Sequence, residues 1–170
     1  MKKLVKVCSF FLLLTSCYIN KNISVKNKIY VEKIENYSNQ LLLSFLINEK
    51  LKEIIMNYPY FTITDLKEGS DYILLIKILK YERIPLFFDK KDPDNIVGVK
   101  HRIEFNIEVK GKNSIFINKN LTETISSSIY KDFKEGEIFS KLSEQIAKKI
   151  YFELLNIKKD EKSNSNSERY

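Results

Sequence analysis

The chain has 170 residues, 44% of them hydrophobic, with 10 Tyr, 11 Phe, no Trp and only 4 Gly and 3 Pro. That composition excludes a low-complexity chain and supports one domain of ordinary size with its own core. The formal charge of +7, from 29 basic and 22 acidic residues, is mild, goes with heavy use of Lys, Asn and Ile, and does not require a polyanionic partner.

Residues 1–16 read as a secretory signal, with Lys2, Lys3 and Lys6 followed by the apolar run Val7-Cys8-Ser9-Phe10-Phe11-Leu12-Leu13-Leu14. The run is well short of the roughly 20 residues that a membrane-spanning helix needs. Its end, Leu14-Thr15-Ser16-Cys17, resembles the lipobox of bacterial lipoproteins, in which the cut falls before the cysteine and the cysteine is acylated. The resemblance implies that Cys17 is the lipid-attachment residue and that the rest of the chain works outside the cytoplasm, tethered to a membrane. Loss of the three signal lysines leaves 26 basic against 22 acidic residues. A mildly basic exported protein suits anionic headgroups, lipopolysaccharide or peptidoglycan, and nucleic acid is not an expected partner in that compartment. Cys8 leaves with the signal and Cys17 is committed to lipid, so packing and not a disulfide is expected to hold the domain.

Residues 17–27 are polar and Asn/Lys-rich, a short lipidated tether. Residues 28–35 read as a first strand from Ile29, Tyr30, Val31 and Ile34. Asn36-Tyr37-Ser38-Asn39 supplies turn chemistry and side-chain oxygens suited to a helix N-cap. From 39 to 58 the period becomes helical, with Leu43, Ile47, Leu51, Ile54, Ile55 and Tyr58 on one face. The first turns, Leu41 to Ile47, are apolar nearly all round. That implies contact on more than one side, with a partner protein or with the chain's own sheet and loops.

Pro59 ends the helix. Residues 60–65 alternate as a short strand, and Gly69 marks a turn. Residues 71–84 form a long strand whose start, Tyr72-Ile73-Leu74-Leu75-Ile76, is apolar on both faces and hence central. In the loop 85–95, Asp89, Asp92 and Asp94 surround Pro93, but without the spacing or the turn glycine of a helix-loop-helix calcium site. A solvated loop is expected there. The strand 96–110 has the plainest period of two: Val97, Val99, Ile103, Phe105, Ile107 and Val109 against Lys100, Arg102, Glu104, Asn106, Glu108 and Lys110. Gly111-Lys112-Asn113 turns it into a hairpin with 114–127. A last helix, 137–156, carries the stripe Phe139, Leu142, Ile146, Ala147, Ile150 and Leu154. Residues 158–170 are charged and Ser/Asn-rich, the composition of a disordered tail.

These elements predict an α+β fold: a two-layer sandwich of a mainly antiparallel four- to five-stranded sheet with two helices on one face, in the order β-α-β-β-β-β-α. The lipobox, the strand ending in Glu35-Asn36-Tyr37-Ser38, the long amphipathic helix, and the strand from Asp71-Tyr72-Ile73-Leu74-Leu75-Ile76 to Lys80-Tyr81-Glu82-Arg83 together resemble the LptE family. The His101-Arg102-Ile103 strand with its hairpin, and the closing helix, extend the likeness over residues 28–157. The family consists of lipopolysaccharide-assembly lipoproteins of the outer membrane. The resemblance implies a non-catalytic plug inside an LptD-like barrel, assisting barrel assembly and delivery of lipopolysaccharide or another glycolipid. The wet strand face carries Lys100, Arg102 and Lys110, but Glu104 and Glu108 interleave, so no strong anion site is expected.

Catalysis, cofactors and metals are not expected. The single histidine, His101, lies on an apolar strand face and reads as a buried core residue, with no second histidine or free cysteine to complete a zinc or Cys-His site. No nucleophile elbow or glycine-rich phosphate loop is present. Two other readings stay open: an envelope-assembly lipoprotein resembling the LpoB or CsgG type, and a surface-exposed ligand-binding lipoprotein.

Overall fold

In the computed structural model the chain is described over residues 26–92, 94–112, 114–128 and 135–167, with side-chain placement through Ile157. The elements among these residues are β1 (Asn27–Val31), β2 (Glu35–Asn36), α1 (Leu41–Asn57), β3 (Phe61–Ile63), β4 (Tyr72–Phe88), β5 (Ile96–Lys110), β6 (Ile115–Ser128) and α2 (Glu135–Ser167). The sheet order is β3-β1-β4-β5-β6, with β2 also on β4. β4, β5 and β6 form an antiparallel meander, while β1 lies parallel to both β3 and β4. The expected α+β sandwich is thus the fold observed, with a sheet of six strands where four to five were expected.

The added strand has a local cause. Val31 pairs with Leu74, but Glu35 pairs with Lys77. The first strand therefore holds one more residue than β4 across the interval, and the extra residue reverses its alternation. Ile29 is buried before the break and Ile34 after it, so a strand that reads as continuous splits into β1 and β2. The same device recurs on β4. Ile78 faces Phe105 and Lys80 faces Glu104, which leaves Leu79 unpaired and exposed. Inward positions are Tyr72, Leu74, Ile76 and Ile78 before the bulge and Tyr81 after it.

The helices bury the stripes that their sequence sets out. α1 turns Leu43, Ile47, Leu51, Ile54 and Ile55 inward, and α2 buries Phe139, Leu142, Ile146, Ala147, Ile150 and Leu154. Against them lie Leu74, Ile76 and Ile78 of β4 and Ile103, Phe105, Ile107 and Val109 of β5 in one continuous core. Each such fully buried side chain contributes about 1.5–3 kcal/mol of transfer free energy.

Three boundary expectations are corrected. The N-cap of α1 is Gln40, with no side-chain cap hydrogen bond; Asn36 Oδ1 is occupied by the Ser38 amide and hydroxyl in a local turn, and Ser38 Oγ accepts from the Gln40 amide. Tyr58 lies outside the buried stripe and is half exposed, because it is extended (φ −110°, ψ 143°) as the residue before Pro59. The backbone of α2 is helical through Ser167, beyond the expected helix end at Asn156, and its buried stripe reaches Ile157.

β6 is a long edge strand, and its inward side is blunted by charge. Lys119 pairs with Glu153 of α2 at 2.8 Å, and Glu123 pairs with Lys149 at 3.0 Å. Lys149 Nζ also donates to the Thr122 carbonyl at 2.8 Å. Inward-pointing charges of this kind discourage edge-to-edge pairing.

Candidate functional surfaces

Cys17 and the rest of the signal and tether, residues 1–25, lie outside the described residues, so the proposed lipid site has no geometry here. Among the described residues no helix is long and apolar enough to cross a membrane. The other residues singled out in the sequence fall on four separate surfaces.

The first is the sheet face turned away from the helices. Arg102 bridges Glu104 at 2.6 Å and Glu82 at 3.8 Å, Lys80 bridges Glu82 at 2.6 Å, and Lys110 bridges Glu108 at 3.2 Å. Farther along β4, Lys77 meets Glu35 at 3.1 Å. The hydrogen bond from Lys80 holds the Glu82 carboxyl below its ordinary range, and those from the Tyr37 hydroxyl and then Lys77 do the same for Glu35. Toward β6 the face becomes an amide ladder, in which Asn106 Nδ2 donates to the side-chain oxygens of Asn118 and Asn120. Arg102 and Lys110, two of the three cations on this strand face, thus each meet a carboxylate of the same sheet, in line with the expectation of no strong anion site. The face is zwitterionic and locally neutral, the opposite of what concentrates a phosphate.

The second is His101, which is 3% exposed and sits under the start of α2. Its Nδ1 lies 2.7 Å from the Tyr81 hydroxyl and its Nε2 lies 3.2 Å from Ser127 Oγ, so β4, β5 and β6 are joined by one polar chain inside the core. The Tyr81 ring packs edge-on against Phe139. Burial first, and then the nearby Arg83, hold the imidazole below its usual range. Burial likewise raises the Tyr81 phenol. Both ring nitrogens have partners, which is how a buried histidine avoids an unmet hydrogen bond. The third member of the chain is a phenol, where nucleophilic triads use a carboxylate to hold the base.

The third is the loop after β4. The Asp89 carboxylate accepts from the Lys91 amide and the Asp92 carboxylate from the Asp94 amide, so these two acids close the turn.

The fourth surface is apolar and exposed. At the start of α1, Leu41 is 79% exposed, Phe45 61% and Leu42 47%, with Tyr37 beside them. Of these, Phe45 lines an open groove of about 490 Å³ whose apolar wall is Tyr30, Val31, Ile34, Phe45 and Ile63. The turns that are apolar all round therefore do not wedge between sheet and loop. Their outer half faces outward with nothing from this chain over it among the described residues.

A separate cluster of rings occupies the end of the sandwich where β1 begins. Phe116, Tyr72, Phe61, Tyr151 and Tyr58 form a continuous series with centroid separations of 5.6, 6.3, 6.0 and 5.1 Å. The Asn27 amide donates to the Tyr72 hydroxyl at 3.2 Å, which ties the first strand to the series. Phe116 is a bulged residue that folds over Gly111, where a Cβ would come within 2.4 Å of its ring. The sequence periodicity places Tyr58 on the helix stripe and does not reveal this cluster, because its members come from four elements and the residue that follows α1.

The chain matches no protein-family model, and no curated protein is similar to it in sequence. Solved structures with the same fold exist. Protein XCC0632 from Xanthomonas campestris, described as of the DUF330 family, aligns with a TM-score of 0.60 at 10% identity, over 82% of this chain and 89% of that one. The hypothetical protein CT253 from Chlamydia trachomatis gives 0.57 at 8% identity, over 76% and 95%. Rare lipoprotein B from Shewanella oneidensis gives 0.53 at 12% identity, over 80% and 99%. At these identities the likeness is one of fold: this chain has an architecture that a solved bacterial lipoprotein also has.

Proposed function

We propose that this chain is a non-catalytic lipoprotein of the outer membrane, anchored through Cys17. In this reading it serves as plug and assembly partner of an LptD-like β-barrel that carries lipopolysaccharide or another glycolipid to the cell surface. Support comes from the lipobox, from the resemblance of residues 28–157 to the LptE family, and from the fold shared with rare lipoprotein B, which is of that family. The observation that carries the reading furthest is the exposed cluster Leu41, Leu42 and Phe45, of which Phe45 lines an open groove. Contiguous exposed apolar surface is what a protein keeps where a partner covers it. The zwitterionic sheet face suits a water-filled lumen better than a lipid-phosphate site.

The test is depletion of the protein followed by an assay of barrel maturation. The reading expects immature barrel to accumulate, whereas normal maturation in depleted cells would overturn it. Mass spectrometry of the mature N-terminus tests the anchor separately, since an unmodified Cys17 would remove the membrane attachment on which the reading depends.

A further inference from the structure

We infer that the end of the sandwich carrying Asn27 rests on the headgroup layer of the leaflet that holds the Cys17 anchor, with Tyr58, Tyr60, Ile115 and Phe116 as its contact residues. The inference rests on the anchor reading of Cys17. Those four side chains are 50%, 49%, 59% and 41% exposed, yet Tyr58 and Phe116 are the two ends of the ring series that runs through buried Tyr72, Phe61 and Tyr151. The exposed rings are therefore braced from beneath and present apolar area at little further loss of rotamer freedom. Phenolic rings with one apolar body and one polar tip are the residues that collect at membrane–water interfaces.

The tether favours a lipid occupant over others. Cys17 and Asn27 are ten residues apart, so the anchor can lie at most about 35 Å from Asn27, and a flexible chain of that length averages about 18 Å. An acylated Cys17 thus holds this end close to the bilayer at high effective concentration, where a weak contact is sufficient. Lys26, Lys28 and Lys112 are exposed at the same end and match an anionic headgroup surface. The nearby Asp71 carboxylate is engaged by the Lys28 backbone amide at 2.7 Å. α2 leaves the sandwich at this end as well. The sequence of its last ten described residues, 158–167, is polar, which limits the contact to headgroup depth. The opposite end of the sheet, with exposed Phe87 and Phe88, lies about 50 Å away along β4 and is held off the surface in this orientation.

Because the chain has no tryptophan, one introduced indole is a clean reporter. Full-length protein carrying Tyr60→Trp, Phe116→Trp or, as the distal comparison, Phe88→Trp is reconstituted in phosphatidylethanolamine–phosphatidylglycerol vesicles containing brominated acyl chains. We expect several-fold stronger quenching and a blue-shifted emission for Tyr60→Trp and Phe116→Trp relative to Phe88→Trp. Equal quenching at all three positions, or stronger quenching at Phe88→Trp, overturns the inference while an acylated Cys17 leaves the anchor reading standing. Position-dependent quenching with an unmodified Cys17 overturns the anchor and keeps the membrane-facing end. Absence of quenching with an unmodified Cys17 overturns both.

Discussion

His101 is held neutral by the fold around it, and that has a consequence for pH. Its folded-state value is depressed by burial and by Arg83, with Glu135 acting weakly the other way. The folded protein therefore binds fewer protons at this site than the unfolded chain. The stabilisation is full above the unfolded value of about 6.5 and is lost as pH falls through and below it. Melting temperature is expected to drop on acidification from about pH 8 to about pH 5, and the His101 share of that drop should vanish in His101→Gln, measured by circular dichroism. The glycines under rings give a second prediction at this scale. Gly111→Ala places a Cβ within 2.4 Å of the Phe116 ring and should cost about 1–3 kcal/mol if the ring cannot move aside. Combined with Phe116→Ala it should cost much less than the sum of the two single changes, a coupling that denaturant titration reads directly.

Among the elements, the buried stripes are the part most legible in the sequence, because period 3.6 in α1 and α2 and period 2 in β5 report one-sided burial without knowledge of the partner. Every residue of the α2 stripe and every odd position of β5 from Val99 to Val109 is buried. His101 was readable for the same reason, since it occupies one of those positions. What escaped was any feature set by a single inserted residue. The extra residue between β1 and β2 and the Leu79 bulge reverse alternation locally, and a reading by period averages over such steps. Cross-sheet hydrogen bonds such as Tyr81 to His101, twenty residues apart, have no local signature at all.

Two predictions belong to the elements. Truncation of Phe105, fully buried in β5, to alanine should destabilise the domain by about 3–5 kcal/mol in denaturant unfolding. Removing the charges that blunt β6, with Lys119→Val and Glu123→Val together, should leave the monomer core intact but expose a paired-strand template. The expected outcome is concentration-dependent association by light scattering at neutral pH. A strictly monomeric double variant would show that α2 alone covers the edge.

At the scale of the molecule, the surfaces divide by direction. One face of the sheet is taken by the helices, the other is polar with its Arg102 and Lys110 charges balanced, and exposed apolar groups lie at the start of α1, at the end that carries Asn27 and, at the far end, at Phe87 and Phe88. The fold class could be read from the order of elements. The exposed groups could not be located, since a sequence marks a residue as apolar without saying which apolar residues the fold leaves uncovered. The architecture alone, shared with proteins at about a tenth of the residues identical, does not specify a partner. The assignment therefore turns on whether the outer face of α1 is covered by another protein.

The direct measurement is co-purification of the full-length protein from mild-detergent extracts, side by side with a Leu41→Ser, Leu42→Ser, Phe45→Ser variant. All three residues are exposed, so the variant should keep the melting temperature of the parent. The account expects the parent to bring down a large outer-membrane β-barrel and the variant to recover several-fold less of it. A parent that purifies without a barrel, or a variant that retains it in full, would contradict the account.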